Sequence, residues 1–463
     1  MNEILLHSLY IMFVIVCSVG LLCCREGPPG RRFWRFTPSV LFLASFVLYT
    51  SAMPVSRILH LSAPEAIDTE FMAVHLLAAV GLVCAYSLHR SFKPLPPVLP
   101  LMPASRKSTI MAVLVLIAMG LFLWRTLHFV GYSVVNLFER YRFEQDAFAS
   151  DASTWDKIVV HFVSSAAAFA LLLFGRRVKS DWQKRVTLAA LVVVAVLLLI
   201  RGSRNPFLLA FLPSIGILYR HRAFPLGRAL LVVLFAYASF QTIAIVRNVG
   251  LLNRMDAEIQ VSFYDPIRSE LGTSYNVWSA AKTTPFFDER HWGKTFFWTS
   301  IANMVPSPIW PGRPVTIATD LSFYYFERGG SETEVFGLGF SPVLEALLNF
   351  GIMGIAPWFF ALGLGLRKIE SWLEELGGWA ICAWAALLPI AINVQRIDAA
   401  IAVKLYLIFI AFFVAFHFMF GDISTATGRQ VTRRRRWRGH LLQEKEPAVS
   451  ANRVAAIQDD TKI

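Results

Sequence analysis

The sequence predicts an all-α polytopic membrane protein with about eleven transmembrane helices and one large extracytoplasmic loop. Three observations predict it. Hydrophobic residues make up 56% of the chain and charged residues 16%, with a mean hydropathy of +0.54, and a soluble domain of 463 residues does not have that composition. The apolar residues fall into runs close to the ~20 residues that span a hydrocarbon core. Lys and Arg collect in alternate loops, as the positive-inside rule demands.

The first run, 4–24, is too long for a signal peptide and lacks its basic start and small-residue cleavage site, so it reads as a retained span. Runs at 38–55, 69–88, 108–129 and 157–175 follow. The next two, 186–201 and 205–219, are short and split by Arg201 to Pro206, which leaves two spans or one re-entrant hairpin open. After 229–246 the pattern stops, and it resumes with 341–365, 378–394 and 398–420. The chain thus divides into helices over 1–246, a loop over 247–340, helices over 341–420 and a basic, disordered tail over 421–463.

Arg25, Arg31, Arg32 and Arg35 occupy the first loop, Arg90, Lys93, Arg106 and Lys107 the third, and Arg176, Arg177, Lys179, Lys184 and Arg185 the fifth. Arg220, Arg222 and Arg228, then Arg367 and Lys368, then the tail continue the alternation. This places the N-terminus and the loop 247–340 outside and the C-terminus in the cytoplasm. The net charge of +13 is therefore a consequence of topology and implies no nucleic-acid partner. Arg433 to Arg436 and Arg438 follow the last span directly, where they attract anionic lipid headgroups. All five cysteines lie in or beside apolar runs, so no disulfide framework is expected in the loop. No Cys/His spacing for a metal is present. No internal repeat is evident, and ionisable groups collect at the outer ends of helices, which argues against a transporter with a midplane site.

The loop is where chemistry is expected. Ser269 to Lys282 reads as an amphipathic helix, whereas Pro306, Pro308, Pro311 and Pro314 force a turn-rich run. Its many aromatics, among them Trp278, Phe296, Phe297, Trp298 and Trp310, fit either anchoring in the headgroup belt or stacking on sugar rings. Its basic residues stand on the side where topology disfavours them, and some are expected to pair with acids such as Asp288, Glu289 or Glu332. Arg201, Arg204, Arg247 and Arg396 each border an apolar run at the outer face. Guanidinium forks there suit phosphate oxygens of a lipid-linked diphosphate or snorkel to headgroups.

The Arg-Gly-Ser-Arg-Asn-Pro break at Arg201 to Pro206, the large loop, and the segment Gly337-Leu-Gly-Phe-Ser-Pro342 followed by Glu345-Ala-Leu-Leu-Asn-Phe-Gly351 together resemble bacterial O-antigen polymerases, the Wzy-type oligosaccharide repeat-unit polymerases. The resemblance covers about 190 to 360 by motif and the remainder by hydropathy. It implies a GT-C-like membrane glycosyltransferase of the bacterial inner membrane, which joins undecaprenyl-diphosphate-linked oligosaccharides at the periplasmic face. No cofactor is implied. Partners would be the lipid-linked oligosaccharides and membrane lipids, with a polysaccharide chain-length regulator left open.

By that resemblance Arg201, Arg204 and Arg247 would bind the diphosphate and stabilise the leaving group, with Arg396 and Arg328 as further candidates. Arg328 also precedes Gly339 at a spacing seen in some of these polymerases. Glu345 is the first choice of base, with His291, Asp320, Glu332 and Glu334 behind it. Glu345 equally suits a helix-capping role, and Asn349, one turn on, would orient it or bind a sugar hydroxyl. Many GT-C enzymes hold a cation on acids of the first external loop, where this chain has Glu65, Asp68 and Glu70, but no metal is assigned. An O-antigen ligase of the same topology, in which His291 would be essential, and a lipid-linked sugar exporter are the alternative readings. For the exporter only His75, His161 and Lys404 lie deep in spans, and each reads as a packing or snorkelling group.

Overall fold

A computed structural model of the chain describes residues 2–25, 34–58, 65–88, 162–168, 204–219, 271–282, 290–305, 309–321, 340–376 and 380–420, with scattered positions over 110–124 and 182–192. The described residues are helical and contain no strand. The expected spans at 186–201 and 229–246, most of 108–129, and the tail lie outside them, as do Arg201, Arg247 and Arg328.

The major helices are α1 (Asn2–Cys23), α2 (Pro38–Ile58), α3 (Ala66–Leu88), α4 (Arg204–Tyr219), α5 (Thr273–Lys282), α6 (Ser300–Met304), α7 (Pro342–Leu376), α8 (Ala380–Asn393) and α9 (Ala399–Phe420). Among the described residues, α1, α2, α3, α7 and α9 are long and apolar enough to cross a membrane, and α4 and α8 are shorter apolar helices. The protein is an α-helical membrane protein. Helices are the expected solution because a hydrocarbon solvent offers backbone amides no partner, so each segment satisfies its own.

Two apolar clusters form the interior. In one, α3 and α7 lie at the centre with α1 and α2 around them, through Phe46, Phe71, Leu82, Leu344, Ile355 and Phe359. Helices come close there because Gly81 carries no side chain: a Cβ on it would stand 2.3 Å from the Ala356 carbonyl oxygen. The small-residue contact replaces the hydrophobic drive that lipid removes between helices. The second cluster joins α4, α8 and α9 through Leu209, Trp384, Leu388, Phe409 and Phe413.

Three differences from expectation have physical causes. The span expected at 341–365 continues to Leu376, 35 residues in all, because Arg367 and Glu370 are buried rather than looped out. Arg367 approaches Glu370 at 3.9 Å and lies over the Tyr86 ring. The same helix is broken at Gly351, whose φ of 68° and ψ of −176° suit glycine alone. Of the amphipathic segment expected over Ser269 to Lys282, Thr273–Lys282 forms α5 and buries Val277, Trp278 and Ala281, packing on α2 and α3, while 269 and 270 lie outside the described residues.

His75 is a packing residue, as expected. Its Nδ1 lies 2.7 Å from the Phe71 carbonyl oxygen and its ring sits among Phe46, Phe71 and Trp278.

Candidate active site at a broken helix

Helix α7 begins with Pro342 and carries Glu345 in its first turn. Six residues after Glu345 the chain leaves helical geometry at Gly351, so the carbonyls of Leu348 and Asn349 lose the amides that would have bonded them. The loop supplies substitutes. The His291 N–H donates to the Leu348 oxygen at 3.2 Å and the Trp292 N–H to the Asn349 oxygen at 3.2 Å. Arg290 lays its guanidinium over the Gly351 Cα, where a methyl group would collide with it.

Asn349 completes the joint. Its Oδ1 accepts the Gly293 N–H at 2.8 Å, and its Nδ2 donates to the Thr295 hydroxyl at 2.6 Å and the Glu345 carbonyl at 2.7 Å. The amide is fully engaged in positioning the loop. Helical spacing, which put Asn349 on the face of Glu345, therefore brings Thr295 into the same cluster.

Glu345 is 1% exposed. Its Oε2 accepts the Ala399 N–H at 2.9 Å, one of the amides that the start of α9 leaves free. Its Oε1 is buried with no hydrogen bond of normal geometry, while the Thr295 hydroxyl reaches toward the carboxylate. The group thus stands at the first turn of α7 and against the first turn of α9. One oxygen is anchored, and the other is available to take a proton.

Asp398 lies close enough to act on Glu345 electrostatically. It caps α9 through Oδ1, which accepts the Ile401 N–H at 2.8 Å, and ties the loop down through Oδ2, which accepts the Ala318 N–H at 3.3 Å. Burial raises its pKa above the usual carboxylate range, against the pull of these bonds and of the Thr316 hydroxyl. Among the described residues no basic side chain makes an ion pair with either carboxylate.

Other expected site residues fall as follows. His291 is half-buried beside the break, and it and Lys294 face Asp320, whose pKa burial raises and these two lower. Arg396 is half-buried in the turn between α8 and α9, where its carbonyl accepts the Phe340 N–H at 2.8 Å. Arg204 opens α4, but its side chain, like Arg201, Arg247 and Arg328, lies outside the described residues. The structure therefore gathers Glu345, Asn349 and His291 around one break, with Arg396 on the α8–α9 turn that precedes Asp398.

The acids of the first external loop have cationic partners. Asp68 is ion-paired to Arg57 at 3.0 Å and accepts the Tyr275 hydroxyl at 2.6 Å. Glu65 pairs with Arg57 at 3.1 Å and Glu70 with Lys282 at 2.5 Å. Burial and the Asp68 carboxylate push the Tyr275 hydroxyl well above its usual range. Among the described residues no group of three acids, histidines or cysteines is placed to hold a metal ion.

Asp398 is the member that sequence reasoning missed. An Asp immediately before an apolar run is a helix N-cap signal, and it was legible at Asp398-Ala-Ala-Ile401. Comparison with known protein families, with characterised proteins and with solved structures gives no match.

Proposed function

We propose that the protein is a membrane glycosyltransferase that polymerises undecaprenyl-diphosphate-linked oligosaccharide repeat units, with Glu345 as the base that activates the acceptor hydroxyl. The observation that carries this reading is the buried Glu345 carboxylate, anchored by the Ala399 amide, with the Thr295 hydroxyl beside it and no cation paired to it among the described residues, at a helix break closed by the loop. In this reading the chain crosses a bacterial inner membrane about eleven times in a GT-C-like arrangement. The N-terminus and the loop 247–340 are periplasmic and the tail is cytoplasmic.

The acceptor hydroxyl gives its proton to Glu345 Oε1 as its oxygen bonds to the anomeric carbon of the donor sugar. The bond from that carbon to the diphosphate oxygen breaks, through a transition state with oxocarbenium character. The departing lipid diphosphate gains negative charge, which Arg201, Arg204 and Arg247 neutralise, assisted by Arg328 and Arg396. Asn349 and Asp398 hold the loop and the α9 terminus that fix the base.

A glycan ladder from cells lacking the protein tests the reading, with wild-type, Glu345→Gln and Arg204→Ala copies returned at equal membrane abundance. The expected deletion phenotype is a core bearing a single repeat unit, with long chains restored by wild type alone. Bare core on deletion would transfer the assignment to a ligase or an exporter. A full ladder from Glu345→Gln would remove the base.

A further inference from the structure

The stretch from Thr295 to Met304 is amphipathic in the opposite sense to a helix in water. A turn of π-helix over Thr295–Thr299 runs straight into α6. Thr295, Thr299, Ser300 and Asn303 are buried, whereas Phe297 is 61% exposed, Trp298 50%, Ile301 58% and Met304 43%. A water-facing helix turns its apolar side to the protein. This one turns its polar side to the protein, beside Glu345 and Asn349 and against α9.

The exposed face continues onto surfaces that belong to a span. Phe296 stacks on Trp358 of α7 with centroids 4.2 Å apart, and Trp358 lies two turns beyond the Gly351 break, toward the far end of that helix. Next to it on α7, Ile352 is 48% and Met353 87% exposed. The described chain from 309 onward packs back against this stretch, with Trp310 edge-on to Trp298, Ile309 and Val315 also exposed, and the Ala318 N–H donating to Asp398.

The described residues on the two sides are tied to each other through polar groups. Arg313 Nη1 donates to the carbonyls of Asn303 at 3.3 Å and Val305 at 2.6 Å, and Asn303 Nδ2 donates to the carbonyls of Thr299 at 3.0 Å and Pro314 at 3.2 Å. Irregular backbone survives in hydrocarbon only on that condition, and an arginine there takes backbone carbonyls as partners. In an aqueous loop neither arrangement would be needed.

We propose that the segments 292–305 and 309–316 enter the bilayer together from the loop side, with Phe297, Trp298, Ile301 and Met304 against acyl chains and the polar stripe against the protein. The pair of segments is a lipid-contact surface whatever chemistry Glu345 performs. It puts the floor of the candidate site below the headgroups rather than in the aqueous loop.

The test is photocrosslinking of the full-length protein in phospholipid liposomes, with p-benzoylphenylalanine replacing Phe297, Trp298 or Ile301, and Met353 as the reference position. Acyl-chain adducts in yields comparable to those at Met353 are expected at all three. Adducts confined to headgroups, adducts to a second copy of the chain, or none at these positions while Met353 reacts, would each overturn the proposal. A second measurement uses the conservative variant Trp298→Phe. Quenching of tryptophan emission by lipids brominated on the acyl chain should lose amplitude in the variant, and unchanged quenching would count against the proposal.

Discussion

The two ends of α7 both bury acidic side chains, and they treat them differently. At the far end Glu374 meets Arg35 at 2.6 Å, and Glu370 accepts the Ser39 amide at 3.2 Å and the Ser39 hydroxyl with Arg367 nearby. The Tyr86 hydroxyl closes the set by donating to the Ser39 carbonyl at 3.3 Å. Each acid there has a base. At the loop end Glu345 and Asp398 lie close together without one among the described residues, held by backbone amides and by the Thr295 and Thr316 hydroxyls. A buried charge with a partner holds structure together, while a buried carboxylate without a cation costs stability and is retained where its proton affinity is used.

The sharpest way to break this comparison is to neutralise one acid at each end. On the proposed function, Glu345→Gln should reduce glycan polymerisation by about 100-fold or more, the loss typical of a missing general base, with membrane insertion unchanged. Glu370→Ala should do the reverse. It removes the buried carboxylate that accepts from Ser39 and lies beside Arg367 and should cost about 3–5 kcal/mol of stability, read from thermal unfolding in detergent, while the folded fraction keeps its activity. If Glu370→Ala abolishes activity in a fully folded protein, the two ends are not distinct in kind.

Gly351→Ala probes the joint between them. The positive-φ, extended conformation of Gly351 costs an alanine about 1–3 kcal/mol, and the new methyl meets the Arg290 guanidinium. The destabilisation should be larger than the strain alone, and Arg290→Ala in the same chain should recover the difference. Additive effects of the two substitutions would show that the guanidinium does not rest on Gly351.

The smallest expected effect is a pH dependence. Because the folded protein raises the pKa of Asp398, its contribution is fully present below the unfolded value of about 3.9 and is lost as pH rises through the folded value. Asp398→Asn should flatten that part of the profile of unfolding temperature against pH while leaving the α9 cap in place. An unchanged slope would mean that Asp398 does not titrate across this window.

Much of the architecture was legible because its causes are local. Runs of apolar residues marked α1, α2, α3, α8 and α9 to within a few positions, and Glu345 stood out as an acid at the start of one. The Gly351 break was not legible, since its partners, His291 to Gly293, are distant in the chain and show no pattern of their own. Arg367 read as a cytoplasmic loop charge because positive-inside reasoning counts charges and does not see Glu370 and Ser39 packed around them. The aromatic residues of the loop fitted either headgroup anchoring or sugar stacking from sequence, and the exposure of the face that carries Trp298 depends on its polar side meeting Asn349 and α9, which is tertiary information.

The break at Gly351 also fixes an order of assembly. The carbonyls of Leu348 and Asn349 have their partners at His291 and Trp292, and in hydrocarbon a carbonyl with no partner costs several kcal/mol. Gly293 precedes Asn349 by 56 residues, so the donors leave the ribosome before the acceptors exist. The second half of α7 can settle as an ordinary span, while its first turns are stapled by chain already made. Translation direction thus supplies the missing helical turn in advance, and a circular permutant that delivered 290–293 after α7 would have to insert the helix with those carbonyls bare.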